Sequence, residues 1–596
     1  MARVILIEPK APNFHVFSLV KLPRLGLPQL GAILARRGHQ VEIYLEQAGG
    51  VSPAVLLTAD LVGISTTTST APEAYRLARF VRHHGVPVVL GGPHVTFLPE
   101  EGLEAADYVI RGEAETVFPE FVERLAAGRP VGDLPGLSFV DGGRVVNNPL
   151  PADRVDLATL PPPDLGLIRN LGRLSIVPLM TSRGCPYSCN FCAVTAMFGR
   201  RYRFAPTDQV LEDLDRHRGR RIFFYDDNFT ADVDRSKELL ELMVRRRLAP
   251  PWWSAQVRVD AAKDPELLDL MARTNCGFVY VGLESVNPEA LKAFHKGQRV
   301  EDIDRCLREF HRRRIRVHGM FIFGADEDGP EVGRRTVGYA RAHHLDTAQF
   351  LALTPIPGTD LYDRLAREGR LLTDDWSLYD GLHVVHRPAR LSPGELQRCL
   401  LEAYGDFYGW PQIAARAVSG DLATAGYRAA GRLVLARWLK TNDPSAVDAS
   451  AVDASAVDAS TVAADSGPAA TARGSQRVAL KSGLLGLPGL VVAVRAGDAP
   501  QLWHIEVRGL LDGAGLAAFK RFVLRTARRL GATRRARVVI NLSGLRFTGE
   551  VVPARVGAIL DGLAKGCREL KVISPNAAVR SLLEHCRPGL PRYECL

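Results

Sequence analysis

The sequence predicts an α/β protein in three globular parts. These are an N-terminal doubly wound parallel sheet, a central partial β/α barrel and a C-terminal α/β domain. Three observations predict it. From residue 2 to about 135, short apolar runs alternate with helical patterns. The alternation resumes from "VPLMTSRGC" to about residue 410, with about six units running in one direction. Globular composition then breaks off over residues 441–476, in the five-residue repeat of "SAVDASAVDASAVDAS", and returns over 477–596.

In the first part, "RVILIE", "QVEIYLE", "ADLVGIS", "VPVVLGG" and "ADYVIRG" read as strands. "GLPQLGAILARRGH" and "APEAYRLARFVRHHG" have the 3.6-residue period of helices. Ligands of doubly wound sheets sit beyond the carboxyl ends of the strands. Those ends are "EPKAPNFH", "GISTTTST", "LGGPHVT" and "IRGEAET", rich in small and polar residues. Residues 136–175 include the Pro-rich "PLPADRVDLATLPPPD" and read as a linker.

In the second part, 176–410, strands are expected at "SIVPLMT", "IFFYDD", "WWSAQVRV", "FVYVGLE", "VHGMFIFG" and "AQFLALTPI". Helical patterns such as "DPELLDLMARTN" separate them, as in a barrel of the TIM type. Residues 411–440 form a helical extension, and 441–476 a flexible low-complexity linker that lacks core-forming residues. In the tail, "WHIEVRG", "RVVINLSG" and "ELKVISP" are strands.

Composition excludes several classes. Of 596 residues, 46% are hydrophobic and 24% charged, as in globular proteins. No apolar run reaches the ~18 residues of a membrane span. "MARVILIEPK" lacks a signal-peptide core, so a cytoplasmic protein is expected. The net charge of +10 is mostly arginine on helical runs such as "RRRIR", without the aromatic interleaving of a nucleic-acid binder.

Three of the nine cysteines stand within "RGCPYSCNFC", as Cys185, Cys189 and Cys192. The other six are scattered, which argues against a disulfide framework. Structural zinc wants four ligands in two close pairs, and no second pair stands at suitable spacing. A [4Fe–4S] cube normally takes four thiolates, so three would leave one iron open to a ligand.

"CPYSCNFC", following the strand "SIVPLMT", resembles the CxxxCxxC signature of the radical SAM superfamily. The resemblance implies a [4Fe–4S] cluster whose open iron chelates S-adenosylmethionine. An electron from the cluster cleaves the sulfonium to a 5'-deoxyadenosyl radical, and the protein orients the cofactors and excludes water. Further residues match the same barrel. Asp226, Asp227 and Asn228 in "FYDDNFT" stand where the superfamily holds the methionine amino group. An Asp or Asn there is also a plain helix N-cap. Ser254, Gln256 and Arg258 alternate on one strand face; the resemblance implies that they reach the ribose and carboxylate. "GLES" puts Glu284 at a strand end, and "LTPIPGT" resembles the late-strand segment that lies near the adenine in that superfamily. A polar group on a buried strand can equally pair with its neighbours.

The first part resembles the cobalamin-binding domain that precedes the barrel in a subgroup with magnesium-protoporphyrin ester cyclases and hopanoid methylases. The match lies in the strand–helix pattern, in Ser65 of "VGIS" and in Gly91 and Gly92 of "LGGPH". These residues contact the nucleotide tail of cobalamin in such domains; glycine lets backbone approach a bulky group. One departure concerns cobalt. The DxHxxG of histidine-ligating domains is absent: His15 has neither the Asp before it nor the Gly after it, and is not assigned as a ligand.

Residues 477–596 resemble a STAS domain, with "TGEVV" and Thr548 where that family carries a phosphorylatable serine. Protein docking is the implied use. The expected reaction is C-methylation of an unactivated carbon in a small-molecule substrate. Radical cyclisation without methyl transfer is one alternative, and a non-catalytic iron–sulfur scaffold acting through the tail is another. Methylthio transfer expects further cysteines in residues 1–184, which have none. The implied partners are the substrate, an electron donor such as flavodoxin or ferredoxin, and a protein at the STAS-like domain.

Overall fold

The computed structural model describes residues 1–13, 22–172 and 174–442, together with the backbone of five C-terminal strands. His15, Thr548 and the repeat of 441–476 from residue 443 on lie outside the described residues. The chain divides into two compact units, Met1–Val457 and Asp458–Leu596.

The N-terminal sheet is built from β1 (Arg3–Glu8), β2 (Gln40–Leu45), β3 (Leu61–Ser65), β4 (Val88–Gly91), β5 (Tyr108–Ile110), β6 (Leu137–Asp141) and β7 (Arg144–Asn147). Its order is β2-β1-β3-β4-β5-β6-β7. The first five strands run parallel, and the last two are antiparallel additions at the edge. Apolar side chains alternate between faces, as a doubly wound sheet requires. Ile5, Ile7, Val62, Ile64, Val88 and Leu90 serve one core; Val4, Leu6, Leu61, Val89 and Ile110 serve the other.

The β6–β7 hairpin comes from the stretch expected to be linker. Its turn, Gly142–Gly143, has φ of +53° and +80°, the left-handed pair that a two-residue hairpin turn needs. The Pro-rich segment after it masked this signal.

The central sheet holds β8 (Ile176–Leu179), β11 (Arg221–Phe224), β12 (Trp253–Val257), β13 (Cys276–Glu284), β14 (Arg316–Phe323) and β15 (Thr347–Ala352). All are parallel, in the order β15-β14-β13-β12-β11-β8. The winding never reverses and β8 and β15 remain edges, so this is an open partial barrel. Between β8 and β11 lies a small antiparallel ladder of β9 (Ser182–Arg183) and β10 (Arg203–Phe204).

Two segments tie the barrel down. After β15 the chain returns to the N-terminal sheet, where Trp376, Tyr379 and Val385 join one of its cores. Trp376 Nε1 donates to Glu101 at 2.8 Å, and its ring stands edge-on to His94 at 5.0 Å. The helical extension comprises Trp410–Val418 and Leu422–Thr441. Arg428 anchors it on the Asp346 and Leu345 carbonyls at 2.9 and 2.6 Å.

In the second unit β16 (Leu490–Ala496), β17 (Leu502–Leu511), β18 (Arg537–Phe547), β19 (Glu569–Ile573) and β20 (Tyr593–Cys595) form one sheet in sequence order. β16 pairs antiparallel with β17, and the remaining pairs are parallel. Among the described residues, no helix is long and apolar enough to cross a membrane.

Candidate functional site

The cysteine loop leaves the carboxyl end of β8 through β9. Gly184 turns it with φ +87°, and its amide donates to Asp227 Oδ2 at 3.0 Å. Cys185, Cys189 and Cys192 are free and half-buried. Tyr187, between the first two, is gripped twice. Its hydroxyl donates to Asp260 at 2.7 Å, and the Arg258 guanidinium covers its ring at 3.6 Å. Asn190 donates to the Ala293 carbonyl at 2.8 Å, and Phe191 packs edge-on against Phe294 at 5.2 Å. The loop therefore has a fixed backbone that offers three thiols.

Burial raises the Cys185 thiol and pushes Cys192 up to about 12. Such burial disfavours the bare thiolate, a cost that a bound metal would offset. Among the described residues no three His, Cys, Asp or Glu side chains converge as a single-ion site needs. An iron–sulfur cube asks for thiolates spread over separate irons.

The neighbouring "YDDN" segment divides its labour. Asp226 faces inward, and its carboxylate accepts from the Thr181 amide at 2.7 Å, the Thr181 hydroxyl at 2.6 Å and the Ser182 amide at 3.0 Å. It is spent on joining β8 to β11. Asp227 supports Gly184 and reaches an adjoining cavity. Asn228 is buried, and its Nδ2 has no partner within the protein. An orphaned donor beside the cysteine loop fits a ligand that brings an acceptor.

Ser254 is buried on β12, and Gln256 donates to the Asp226 carbonyl at 3.3 Å. Arg258 is occupied by Asp260 at 3.3 Å, the Lys296 carbonyl at 2.7 Å and Tyr187. Glu284 accepts from Lys296 at 2.5 Å. A second cavity adjoins Asn190 and Phe294 and runs past Ala325 and Leu353, at the ends of β14 and β15.

Another opening lies between the two sheets. A cavity of about 350 Å³ is walled on one side by Ser65, Gly91 and Gly92 at the ends of β3 and β4. Met180, Arg183, Phe198, Tyr225 and Asp227 wall the barrel side. Gly92 has φ +100°, and a Cβ there would lie 2.4 Å from the Thr66 carbonyl oxygen. Only glycine keeps this loop low enough to leave the cradle open. Ser65 and the glycines thus share one space with Asp227 and with Arg183, two residues before Cys185, while the three cysteines themselves are not in its lining.

Sequence reasoning missed the residues that join them. Glu113 and Glu115, in the loop after β5, both accept from Arg183 at 2.7 Å. Glu113 also takes two bonds from Arg203, at 2.9 and 2.8 Å. Burial works against the charge on Glu113, yet the bonds from Arg203 and Arg183 hold its carboxyl below the usual range. Arg183 and Arg203 are partners in the β9–β10 ladder. No spacing in the sequence announces that pairing. Lys296 was missed for the same reason.

Residues 179–331 match the radical SAM superfamily, and residues 18–122 match the B12 binding domain. An uncharacterized methyltransferase of Pyrococcus horikoshii is 31% identical over 411 residues, covering 66% of this chain and 89% of that one. The chain belongs to the radical SAM superfamily. Bacteriochlorophyllide d C-12(1)-methyltransferase of Chlorobaculum tepidum is 27% identical, over 69% of this chain and 88% of that one. Among solved structures, the cobalamin-dependent S-adenosylmethionine radical enzyme OxsB aligns with a TM-score of 0.56 at 18% identity, over 70% of this chain and 68% of that one. The methyltransferase TsrM from Kitasatospora setae aligns at 0.53 with 22% identity, over 62% and 76%. These two likenesses concern the fold.

This radical SAM protein is an enzyme whose cofactors are a [4Fe–4S] cluster, S-adenosylmethionine and cobalamin. Its residues fit that set: an open glycine cradle, an orphaned buried amide and three thiols on one rigid loop.

Proposed function

We propose that this enzyme transfers a methyl group to an unactivated carbon of a small molecule. The observation that carries the proposal is the shared cavity, with Gly91 and Gly92 on one wall and Arg183 and Asp227 on the other. When bound, the cofactors would supply one-electron cleavage of the sulfonium, hydrogen abstraction from the substrate and delivery of a methyl group.

The chain's residues do the rest. Cys185, Cys189 and Cys192 hold three irons and leave one open. Asn228, with Ser254 and Gln256 on the neighbouring strand, orients S-adenosylmethionine, and the second cavity beside Phe294 takes its adenine. Ser65, Gly91 and Gly92 seat cobalamin without a histidine from the DxHxxG position. Met180, Phe198 and Tyr225 close the barrel side and exclude water from the reacting groups. The enzyme works in the cytoplasm with a flavodoxin- or ferredoxin-like electron donor, and residues 477–596 are a STAS-like protein-docking module.

Anaerobic reconstitution with cobalamin, S-adenosylmethionine and a reductant tests the proposal on fractionated small-molecule extracts. Methylation yields a product one methyl group heavier, with both S-adenosylhomocysteine and 5'-deoxyadenosine. Formation of 5'-deoxyadenosine without S-adenosylhomocysteine would support cyclisation instead, as one relative is an anaerobic magnesium-protoporphyrin IX monomethyl ester cyclase.

A further inference from the structure

Lys296 follows the helix Pro288–Ala293, and its ammonium meets the Glu284 carboxylate at 2.5 Å. Both residues are buried, at 8% and 6% exposure. The backbone is shaped around the pair. A Cβ on Gly282 would lie 2.5 Å from Glu284 Oε1 and 2.9 Å from Lys296 Nζ. The β13–β14 register shifts between Gly282 and Glu284, and Glu284 itself has φ +59°. A bulge and a left-handed backbone at a residue with a side chain re-aim that side chain.

The segment that carries Lys296 packs against the cysteine loop. The Lys296 carbonyl accepts from Arg258, which lies on Tyr187, and Tyr187 stands between Cys185 and Cys189. The residues just before Lys296 hold Asn190 and Phe191.

An ion pair this deep adds little to stability by itself, because desolvation offsets attraction. Beside a redox centre its charge has another effect. A reduced cube carries one more negative charge than an oxidised one, and nearby charge and hydrogen bonding set the potential. We propose that Lys296, held in place by Glu284, is a positioning residue that raises the reduction potential of the cluster and so eases its one-electron reduction by the external donor protein. The step moves one electron from donor to cluster, with no bond made or broken. The proposal rests on Cys185, Cys189 and Cys192 being the cluster ligands.

The test is potentiometric titration, followed by electron paramagnetic resonance, of the reconstituted full-length protein without S-adenosylmethionine. Wild type is compared with Lys296→Met, Glu284→Gln, the double variant and Lys296→Arg, each at measured iron content. Lys296→Met should shift the potential negative and Glu284→Gln should shift it positive. The double variant should lie between them, and Lys296→Arg should stay near wild type. Single variants that shift together, or not at all, while fully loaded with iron would overturn the proposal. So would Lys296→Arg shifting as far as Lys296→Met, a comparison that stands even if another variant fails to fold. A wild-type chain that takes up no cluster would refute the cysteine assignment instead.

Discussion

Arg183, two residues before the first cysteine of the loop, donates to Glu113 of the N-terminal domain at 2.7 Å. Both side chains are buried, and Arg203 and Glu115 complete a group of two cations and two anions. The contact fixes the strand that leads into the cysteine loop against the cavity that Gly91 and Gly92 line from the other side.

Breaking such a group from one side leaves an uncompensated buried charge. Glu113→Ala should lower stability by about 3–5 kcal/mol. Glu113→Gln keeps one acceptor and should cost less. Chemical denaturation of the cofactor-free protein reads both, and a cost under about 1 kcal/mol for Glu113→Ala would show that the charges find water instead.

Gly91 and Gly92 should respond differently to alanine. At Gly92 the added methyl collides with the Thr66 carbonyl at 2.4 Å in a left-handed backbone. Gly92→Ala should therefore lose about 1–3 kcal/mol and most of its cobalamin binding. At Gly91 the nearest atom to a Cβ is the Ile110 carbonyl at 3.7 Å, an ordinary contact. Gly91→Ala should fold normally, and its cobalamin affinity, measured by absorbance titration, should fall about tenfold or less.

Asp226 and Asn228 should separate structure from binding. Asp226→Ala removes three hydrogen bonds at a fully buried site and should lower the melting temperature sharply. Asn228→Ala removes an unused donor and a single 3.3 Å bond accepted from Thr230, so stability should fall far less than for Asp226→Ala. Its KM for S-adenosylmethionine, read from 5'-deoxyadenosine release, should rise about tenfold. The opposite pattern would exchange their roles.

Asp328 gives a pH-dependent expectation. Burial raises its pKa from 3.8 to about 6, against the amide bonds from Gly324 and Ala325. Between those values the unfolded chain has released its proton while the folded chain keeps it. Stability therefore falls as pH rises from about 4 to 6, and the loss persists at neutral pH. Asp328→Asn should flatten that part of the stability curve. An unchanged slope would place the titration elsewhere.

Much of this arrangement is legible in the sequence because it rests on local patterns. The strands from "RVILIE" to "AQFLALTPI" are short apolar runs between helical periods, and all of them form. Cys185, Cys189 and Cys192 announce themselves by spacing, and Gly92 by standing at a strand end. What stayed hidden is contact at long range. Glu113 lies 70 positions from Arg183, and Trp376 lies 275 from Glu101. Periodicity carries no trace of such pairs. The roles within "YDDN" were equally unreadable, since three adjacent polar residues are sorted only by which way the backbone turns each one.

The return of Trp376, Tyr379 and Val385 to the N-terminal core bears on how the protein is made. Chains are synthesised from the N-terminus, and domains ordinarily fold in that order. Here the first sheet leaves the ribosome early but lacks a piece of its own interior until about 385 residues have been synthesised. Its final consolidation waits for the barrel. The nascent chain therefore completes its N-terminal core only once the cysteine loop has been translated, and one late clasp finishes both halves together.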